Sequence, residues 1–498
     1  MKVFATIVVS YLFLNTLVCR AQNSTIDAMK RGVELIRGSY NAHGGVNSTD
    51  SLKLKFSVSN KKNITIGQTY AADTHGDEYI MEGGYSVDKK KKMEIGWNKV
   101  PMSGFEFTNK YFIANGKAKV YAVDRKKVTE SPARTVIPNY FPQFILAEIL
   151  KNPYSIRYAG ESSQSQEPIY LVTGIRGSDL IQLGIDQKTL LVSSVTWITT
   201  GFGVAGDEER NFSYSKYIKV GSVQIPQQVA VFNTNQAFGN STNNITIDGA
   251  TDKFEITSAD LQRPEGFVPP DYSYRKTAEA IKVGEGLYMV ENSALAAPTY
   301  PFSYNVLFAE FENYVLVVEA PWDEATSIRV IDQIKKTIPG KPIKYLVQSH
   351  HHEDHIGGIR TYIAEGVTIL VSPSNVELIK KIAKALFTAN PDKLAKNPVA
   401  PTIETISKKK HIIKDAKNET IIMDIGPNEH TKENLVVYFP NQKLLYQADM
   451  INEGEYPPTS TSKEFIATLK SLKLKVETMV GTHGKVLDKG AIDALFSK

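Results

Sequence analysis

The run His350-His351-His352-Glu353-Asp354-His355 concentrates imidazole and carboxylate groups in six consecutive residues, and Ile356-Gly357-Gly358 follows it. Imidazole nitrogen and carboxylate oxygen are ligands that suit zinc, iron or manganese. The run leaves an apolar stretch, Lys344–Gln348, that reads as a strand. Residues at i and i+2 leaving a strand point the same way, so His350 and His352 can converge on one point. Asp354 and His355 then turn toward a second point nearby. Gly357-Gly358 lets a helix begin close against the sheet. A surface polyhistidine loop is the ordinary alternative. The distribution of the other histidines argues against it, because of nine in the chain only His43 and His75 lie in the first half.

Three more positions join the set. His430 follows an expected strand at Thr420–Ile425, and Asp449 ends one at Lys443–Ala448. His483 lies in Val480-Gly481-Thr482-His483-Gly484, after the strand-like Val476–Val480. Each sits at the C-terminal end of an expected strand, the edge where open α/β sheets build their sites. Singly, Asp449 could cap a helix and either histidine could be a satisfied loop residue.

In order and spacing, residues 278–498 resemble the metallo-β-lactamase fold hydrolase superfamily. Its HxHxDH motif matches His350, His352, Asp354 and His355, and its later ligands match His430, Asp449 and His483. The resemblance implies an αββα sandwich. It also implies two divalent metal ions, with zinc the first expectation. His350, His352 and His430 would hold one ion, Asp354, His355 and His483 the other, and Asp449 would bridge. His351 and Glu353 fall on the variable positions and receive no metal role. The only cysteine, Cys19, lies in the N-terminal segment, so the cysteine-ligand lactamase subclasses fit less well than the glyoxalase II and lactonase branch.

The chemistry expected is hydrolysis of an ester, thioester, lactone or amide-like bond by a dizinc-bound hydroxide. Asp354 would orient the nucleophile or pass a proton. Tyr300, Phe302 and Tyr304 stand in a loop that often overhangs the metals in this superfamily, and they would contact an apolar, small-molecule carbonyl substrate. Two other classes compete. One is a mono-iron, persulfide dioxygenase-like oxidoreductase. The other is a non-enzymatic lipid-binding protein whose metal domain is vestigial.

The elements that position these residues point to an α+β, two-domain chain. After a helical pattern at Thr25–Gly38, residues 22–266 read as an antiparallel, curved β-sheet with helices on one side. Leu52, Leu54, Phe56 and Val58 alternate with polar residues, the mark of a strand with one wet face. Further runs occur at Ile169–Arg176, Leu190–Thr199, Tyr214–Lys219 and Val229–Phe232, with a helix at Phe141–Leu150. This half resembles the LolA-like lipoprotein carriers in topology, through Leu183–Leu190, Tyr217–Pro226 and Thr257–Gly266. Prolines 264, 269 and 270 mark a linker at 267–277. Beyond it strands alternate with helices, as in a layered α/β domain. An insertion at Val376–Lys417 reads as mostly helical. Gly201-Phe202-Gly203-Val204-Ala205-Gly206 fits GxGxxG, but Asp207 and Glu208 follow where a phosphate-binding helix should start, so it reads as a flexible hairpin.

Composition bounds the rest. The chain has 498 residues, 42% hydrophobic and 22% charged, which excludes fibrous and disordered classes. A net charge of +5 gives no reason to expect nucleic acid as a partner. Lys2, the apolar run Val3–Val18 and Ala21 read as a signal peptide over 1–21, which predicts a secreted or periplasmic protein with no transmembrane anchor after cleavage. Asn-x-Ser/Thr sequons at Asn23, Asn47, Asn63, Asn211, Asn240, Asn244 and Asn418 would be surface glycan sites in a eukaryotic secretory pathway.

Overall fold

The structure is a computed structural model. It describes residues 25–46, 51–64, 78–88, 93–102, 105–114, 117–122, 127–130, 140–162, 167–176, 179–201, 203–235, 239–251, 253–254, 256–257, 266, 279–291, 293, 303–407, 409–452 and 460–497. The expected signal peptide, the linker 267–277, Tyr300 and Phe302 lie outside these residues.

In the N-terminal half thirteen strands form one antiparallel sheet that runs outward from the pairing of Ser51–Ile64 with Gly239–Thr251. Its end strands, Lys127–Glu130 and Arg157–Ser162, are not paired with each other. The period-2 pattern has the predicted effect. Leu52 and Leu54 are buried while Lys53 and Lys55 face water. The helices Thr25–Ala42 and Pro142–Ile149 supply Leu35, Ile36, Phe144, Ile145 and Ile149 to the same core as Val195, Trp197, Phe212 and Tyr214 of the sheet.

The C-terminal half has two sheets face to face. Seven strands, from Ala280–Gly284 to Thr402–Thr405, form one; five, from His411–Lys414 to Thr478–Gly481, form the other. Side chains alternate between faces, and both faces are covered. In the strand Val306–Glu310, Leu307 and Ala309 join Val437, Phe439 and Tyr446 in the core between the sheets. Val306 and Phe308 point the other way, into a core shared with the helices Glu324–Thr337, Ile359–Ala364 and Val376–Lys384. The helices Ser460–Leu472 and Lys489–Phe496 cover the outer face of the second sheet. This is the expected αββα sandwich. The strands Val315–Val318, Ile343–Val347 and Thr368–Val371 are parallel neighbours, so their C-terminal ends lie along one edge. Among the described residues no helix is long and apolar enough to cross a membrane.

Three expectations need correcting. The insertion is helical over less than a third of its length. After Val376–Lys384 and Lys393–Lys396 it supplies the strand Thr402–Thr405 to the first sheet and His411–Lys414 to the second. Short runs such as Thr402–Thr405 carry too little period to reveal a strand, and edge pairing decides it. The Gly201–Gly206 segment is a hairpin, closed by Gly201 N donating to Gly206 O at 2.7 Å, yet Val204 and Ala205 are buried in the core of the C-terminal half. The Asn418 sequon is no surface site. Its side chain is buried, donating to Glu310 O and accepting from Glu419 N.

Candidate metal centre

The HxHxDH run starts where the strand Ile343–Val347 ends at the open edge of the sandwich. Gln348 pins the loop, its buried amide donating to the carbonyls of His350 and His355. Leu435 N donates to Ser349 O and ties the run to the second sheet. The short helix Glu353–Ile356 then carries Asp354 and His355. Gly357 and Gly358 allow a very close approach to the Trp322-Asp323 turn. A methyl added at Gly357 would stand 2.0 Å from the Trp322 carbonyl oxygen, and one at Gly358 would stand 2.0 Å from Ser327 Oγ.

The other ligands come from loops beyond strand ends. Asn428 shapes the loop of His430, its Oδ1 accepting from the backbone N–H groups of His430 and Thr431. Asp449 follows the strand Leu444–Gln447 and adopts φ 64°, a left-handed conformation rare for a residue with a side chain. Gln447 holds that turn, with Oε1 accepting from Met450 N and Ile451 N and Nε2 donating to Ile451 O.

All seven candidate ligands meet in two adjoining groups. His350, His352, His430 and Asp449 form one and Asp354, His355 and His483 the other; within each, the donor atoms lie within 4.8 Å of one another. Asp449 stands between the groups. Its Oδ2 is 2.9 Å from His430 Nε2, 3.4 Å from His350 Nε2 and 3.0 Å from His355 Nε2, while Oδ1 is 3.1 Å from His483 Nε2. Asp354 Oδ2 is 3.7 Å from His355 Nε2 and 3.6 Å from His483 Nε2. His351 is buried and Glu353 exposed, and neither belongs to a group.

The donor set fits metal ions. His350 Nε2 and His430 Nε2 face each other at 3.4 Å. Two nitrogens bound tetrahedrally to one zinc at about 2.0–2.1 Å would stand about 3.3 Å apart. Among the described residues Asp449 Oδ1 is buried with no hydrogen-bond partner, although an imidazole nitrogen is 3.1 Å away. That misalignment suits two ligands of one cation better than a donor and its acceptor.

Each inner imidazole is oriented through its other nitrogen, as metal-binding histidines commonly are. His355 Nδ1 donates to Glu319 Oε2 at 2.7 Å, and His483 Nδ1 donates to Ser303 O at 2.6 Å. Ser349 Oγ lies 2.9 Å from His350 Nδ1. Glu319 is itself wholly buried, and its Oε1 accepts from Ser349 N at 2.9 Å. The Tyr304 hydroxyl donates to Asp354 Oδ2 at 3.2 Å. The Tyr304 ring is fully buried and packs edge-on against His483 and at a tilt against Trp322.

Electrostatics follow from burial and the two aspartates. Burial and the neighbouring His355 and His352 push the His350 pKa well below its usual value. Burial would lower His355 too, but Asp449 and Asp354 overcome it and raise the pKa well above the usual range. His483 is likewise lifted, against burial and mainly by Asp449, to about 10. Both aspartates are held below the ordinary carboxylate range, the imidazoles outweighing the cost of burial. Without cations, protons on His355 and His483 balance the two carboxylates. Ions that bind there displace those protons.

Reasoning from sequence did not find Glu319, Ser349, Trp322 or the Ser303 carbonyl. One signal was available for Glu319, a lone acid closing the apolar strand Val315–Val318 at the edge that carries the ligands.

Comparisons with known proteins agree with this geometry. The metallo-beta-lactamase superfamily profile matches residues 299–483, which include all seven ligands. Metallo-beta-lactamase IND-1 of Chryseobacterium indologenes is 22% identical over 184 residues, 35% of this chain and 67% of that protein. A type 2 metallo-beta-lactamase of Elizabethkingia meningoseptica is 23% identical over 154 residues, 31% of this chain and 55% of that one. The alpha subunit of 2,4-dinitroanisole O-demethylase from a Nocardioides species is 22% identical over 151 residues, 30% of this chain and 42% of its own length. Among solved structures, a metallo-beta-lactamase from Pontibacter korlensis is 19% identical with a TM-score of 0.34, covering 44% of this chain and 97% of that one. By the family match and these sequence relatives, the C-terminal half carries a metallo-beta-lactamase superfamily domain.

Proposed function

Taking that domain as the premise, we propose that the chain is a metal-dependent hydrolase that cleaves an ester, thioester, lactone or amide-like bond in a small carbonyl substrate. The observation that carries the reading is the pair of adjoining donor groups with Asp449 of the first beside His355 and His483 of the second. His350, His352 and His430 would hold one divalent cation, Asp354, His355 and His483 the other, and zinc is the lead candidate from the nitrogen-rich set. When bound, such cations supply Lewis acidity to a carbonyl oxygen and make a water molecule more acidic.

The protein's own residues supply position and access. His355 and His483 are buried, whereas His352, His430 and Asp354 are partly exposed, so substrate would approach over these three. Asp354 is the carboxylate placed to accept a proton from an attacking water and return it to the leaving atom. We assign Tyr304 to holding that carboxylate rather than to touching substrate, because its ring is buried and its hydroxyl donates to Asp354. Tyr300 and Phe302 remain proposed substrate contacts on the strength of the sequence.

We also propose that the chain is exported, on the strength of the apolar run Val3–Val18; N-terminal sequencing of the secreted form tests this. The test of the function is a panel of nitrocefin, acyl-homoserine lactones and S-lactoylglutathione, assayed with and without chelator. Chelator-sensitive turnover of one of them is expected. No such turnover with any carbonyl substrate, together with one tightly held iron per chain, would replace hydrolysis by oxygen chemistry.

A further inference from the structure

The turn between the strands Val192–Thr200 and Asp207–Val220 belongs to the N-terminal half by sequence and to the C-terminal half by packing. Val204 and Ala205 are buried in the same cluster as Ile356 and Ile359, which flank the Gly357-Gly358 pair. On one side Asp207 anchors the hairpin to the insertion. Its backbone N–H donates to Leu386 O at 2.7 Å, and its carboxylate accepts from the N–H groups of Thr388 and Ala389.

On the other side Gly203 lies against the turn beside the metal centre. A methyl there would meet the Trp322 carbonyl oxygen at 3.1 Å and Gly357 Cα at 3.2 Å. Trp322 N donates to Asp354 O at 3.0 Å, and Gly358 N donates to Ala320 O at 2.8 Å. The Trp322 ring packs against Tyr304, whose hydroxyl holds the Asp354 carboxylate. Hairpin, Trp322 turn and Asp354 are thus consecutive contacts in one direction.

We infer that the Gly201–Asp207 hairpin is a positioning element of the metal centre, through which the N-terminal half sets the placement of Asp354. The inference rests on the reading of the donor groups as metal sites. Asp354 belongs to only one group, so loosening the hairpin weakens that group and spares His350, His352 and His430. Gly203 is the sensitive position, because φ is +55° and the space beside it is filled.

The test uses the full-length protein with zinc, in wild-type, Gly203→Ala and Ala205→Gly forms. Ala205→Gly removes one buried methyl and adds no clash, so it serves if Gly203→Ala fails to fold. Competition with a chromophoric chelator reads the two affinities, and hydrogen exchange reads the amides of Trp322 and of residues 354–358. The expected result is one affinity unchanged and the other about tenfold weaker or more, the loss seen on removing a group that orients a ligand. Faster exchange is expected at Trp322 and 354–358 and not in the strand Leu444–Gln447. A wild-type protein that holds no zinc would overturn the metal reading itself. Zinc binding and exchange in both variants equal to wild type would overturn the hairpin inference alone. So would a uniform loss of protection with both affinities intact, which would leave the hairpin a role only in stability.

Discussion

Replacing Glu319 with glutamine changes one buried atom from acceptor to donor, with a consequence that can be worked out. Each carboxylate oxygen now accepts one N–H, Oε1 from Ser349 N and Oε2 from His355 Nδ1. A glutamine has a single acceptor oxygen. The backbone N–H cannot change its nature, so the oxygen stays with Ser349 and the NH2 group turns to His355. With the amide donating to it, Nδ1 gives up its proton, so the imidazole keeps only the one on Nε2, the atom 3.0 Å from Asp449 Oδ2 and the one that must offer a lone pair to a metal. Binding an ion then requires the proton back on Nδ1, against the amide, leaving a buried donor without a partner. That costs about 1–3 kcal/mol. At about 1.4 kcal/mol per factor of ten, metal affinity in the His355 group falls about 5- to 150-fold. Chelator competition on the purified Glu319→Gln protein, with circular dichroism to check the fold, measures this. Unchanged affinity in a folded variant would refute the tautomer reasoning.

Tyr304→Phe removes the hydrogen bond to Asp354 while keeping the buried ring. Its kcat should fall with KM little changed, and single-turnover kinetics locate the loss in the chemical step. Arg360 is buried against Asp392, with Nη2 to Oδ1 at 2.9 Å, and it donates to the carbonyls of Ile382, Ala383 and Ala385. Arg360→Met leaves that aspartate unpaired, and denaturant unfolding should show a loss of about 3–5 kcal/mol. His43 is buried in the N-terminal half, and desolvation lowers its pKa to about 4 despite the hydrogen bond to Ser39 O. The unfolded chain therefore binds a proton first as pH falls. The stability from neutral His43 is complete above about pH 6.5 and is lost between there and pH 4, amounting to about 3 kcal/mol. His43→Gln should flatten the difference between unfolding free energies measured at pH 7 and pH 4.5; an equally steep dependence in the variant would disprove it.

The C-terminal half was legible because its signals are local. Apolar runs such as Lys344–Gln348 and Thr420–Ile425 settled to within a residue or two of the strands Ile343–Val347 and Glu419–Asp424. The ligands follow such strands, and a sandwich with both faces covered leaves only the strand ends open. What stayed hidden depends on contacts across the chain. Glu319 acquires its role only when its strand lies beside Ile343–Val347, and Tyr304 only when its ring is closed under Trp322. The hairpin misled for the same reason. Gly, Ala and Val in a glycine-rich turn look the same whether solvent or a neighbouring core covers them, and only the packing of Val204 and Ala205 tells. In the N-terminal half the alternation at Leu52–Lys55 named a strand but could not say which of twelve others would pair with it.

Residues 201–207 leave the ribosome well before 303–483 do. Synthesis runs from the N-terminus and earlier segments begin to fold first. The hairpin thus exists, with a valine and an alanine at its tip, before there is anything for it to enter. Until roughly the last third of the polypeptide emerges, that tip is a small greasy plug without a socket. Chains stalled or truncated before Ile359 would therefore be stickier than their length alone suggests, and the later half would assemble around a peg already in place.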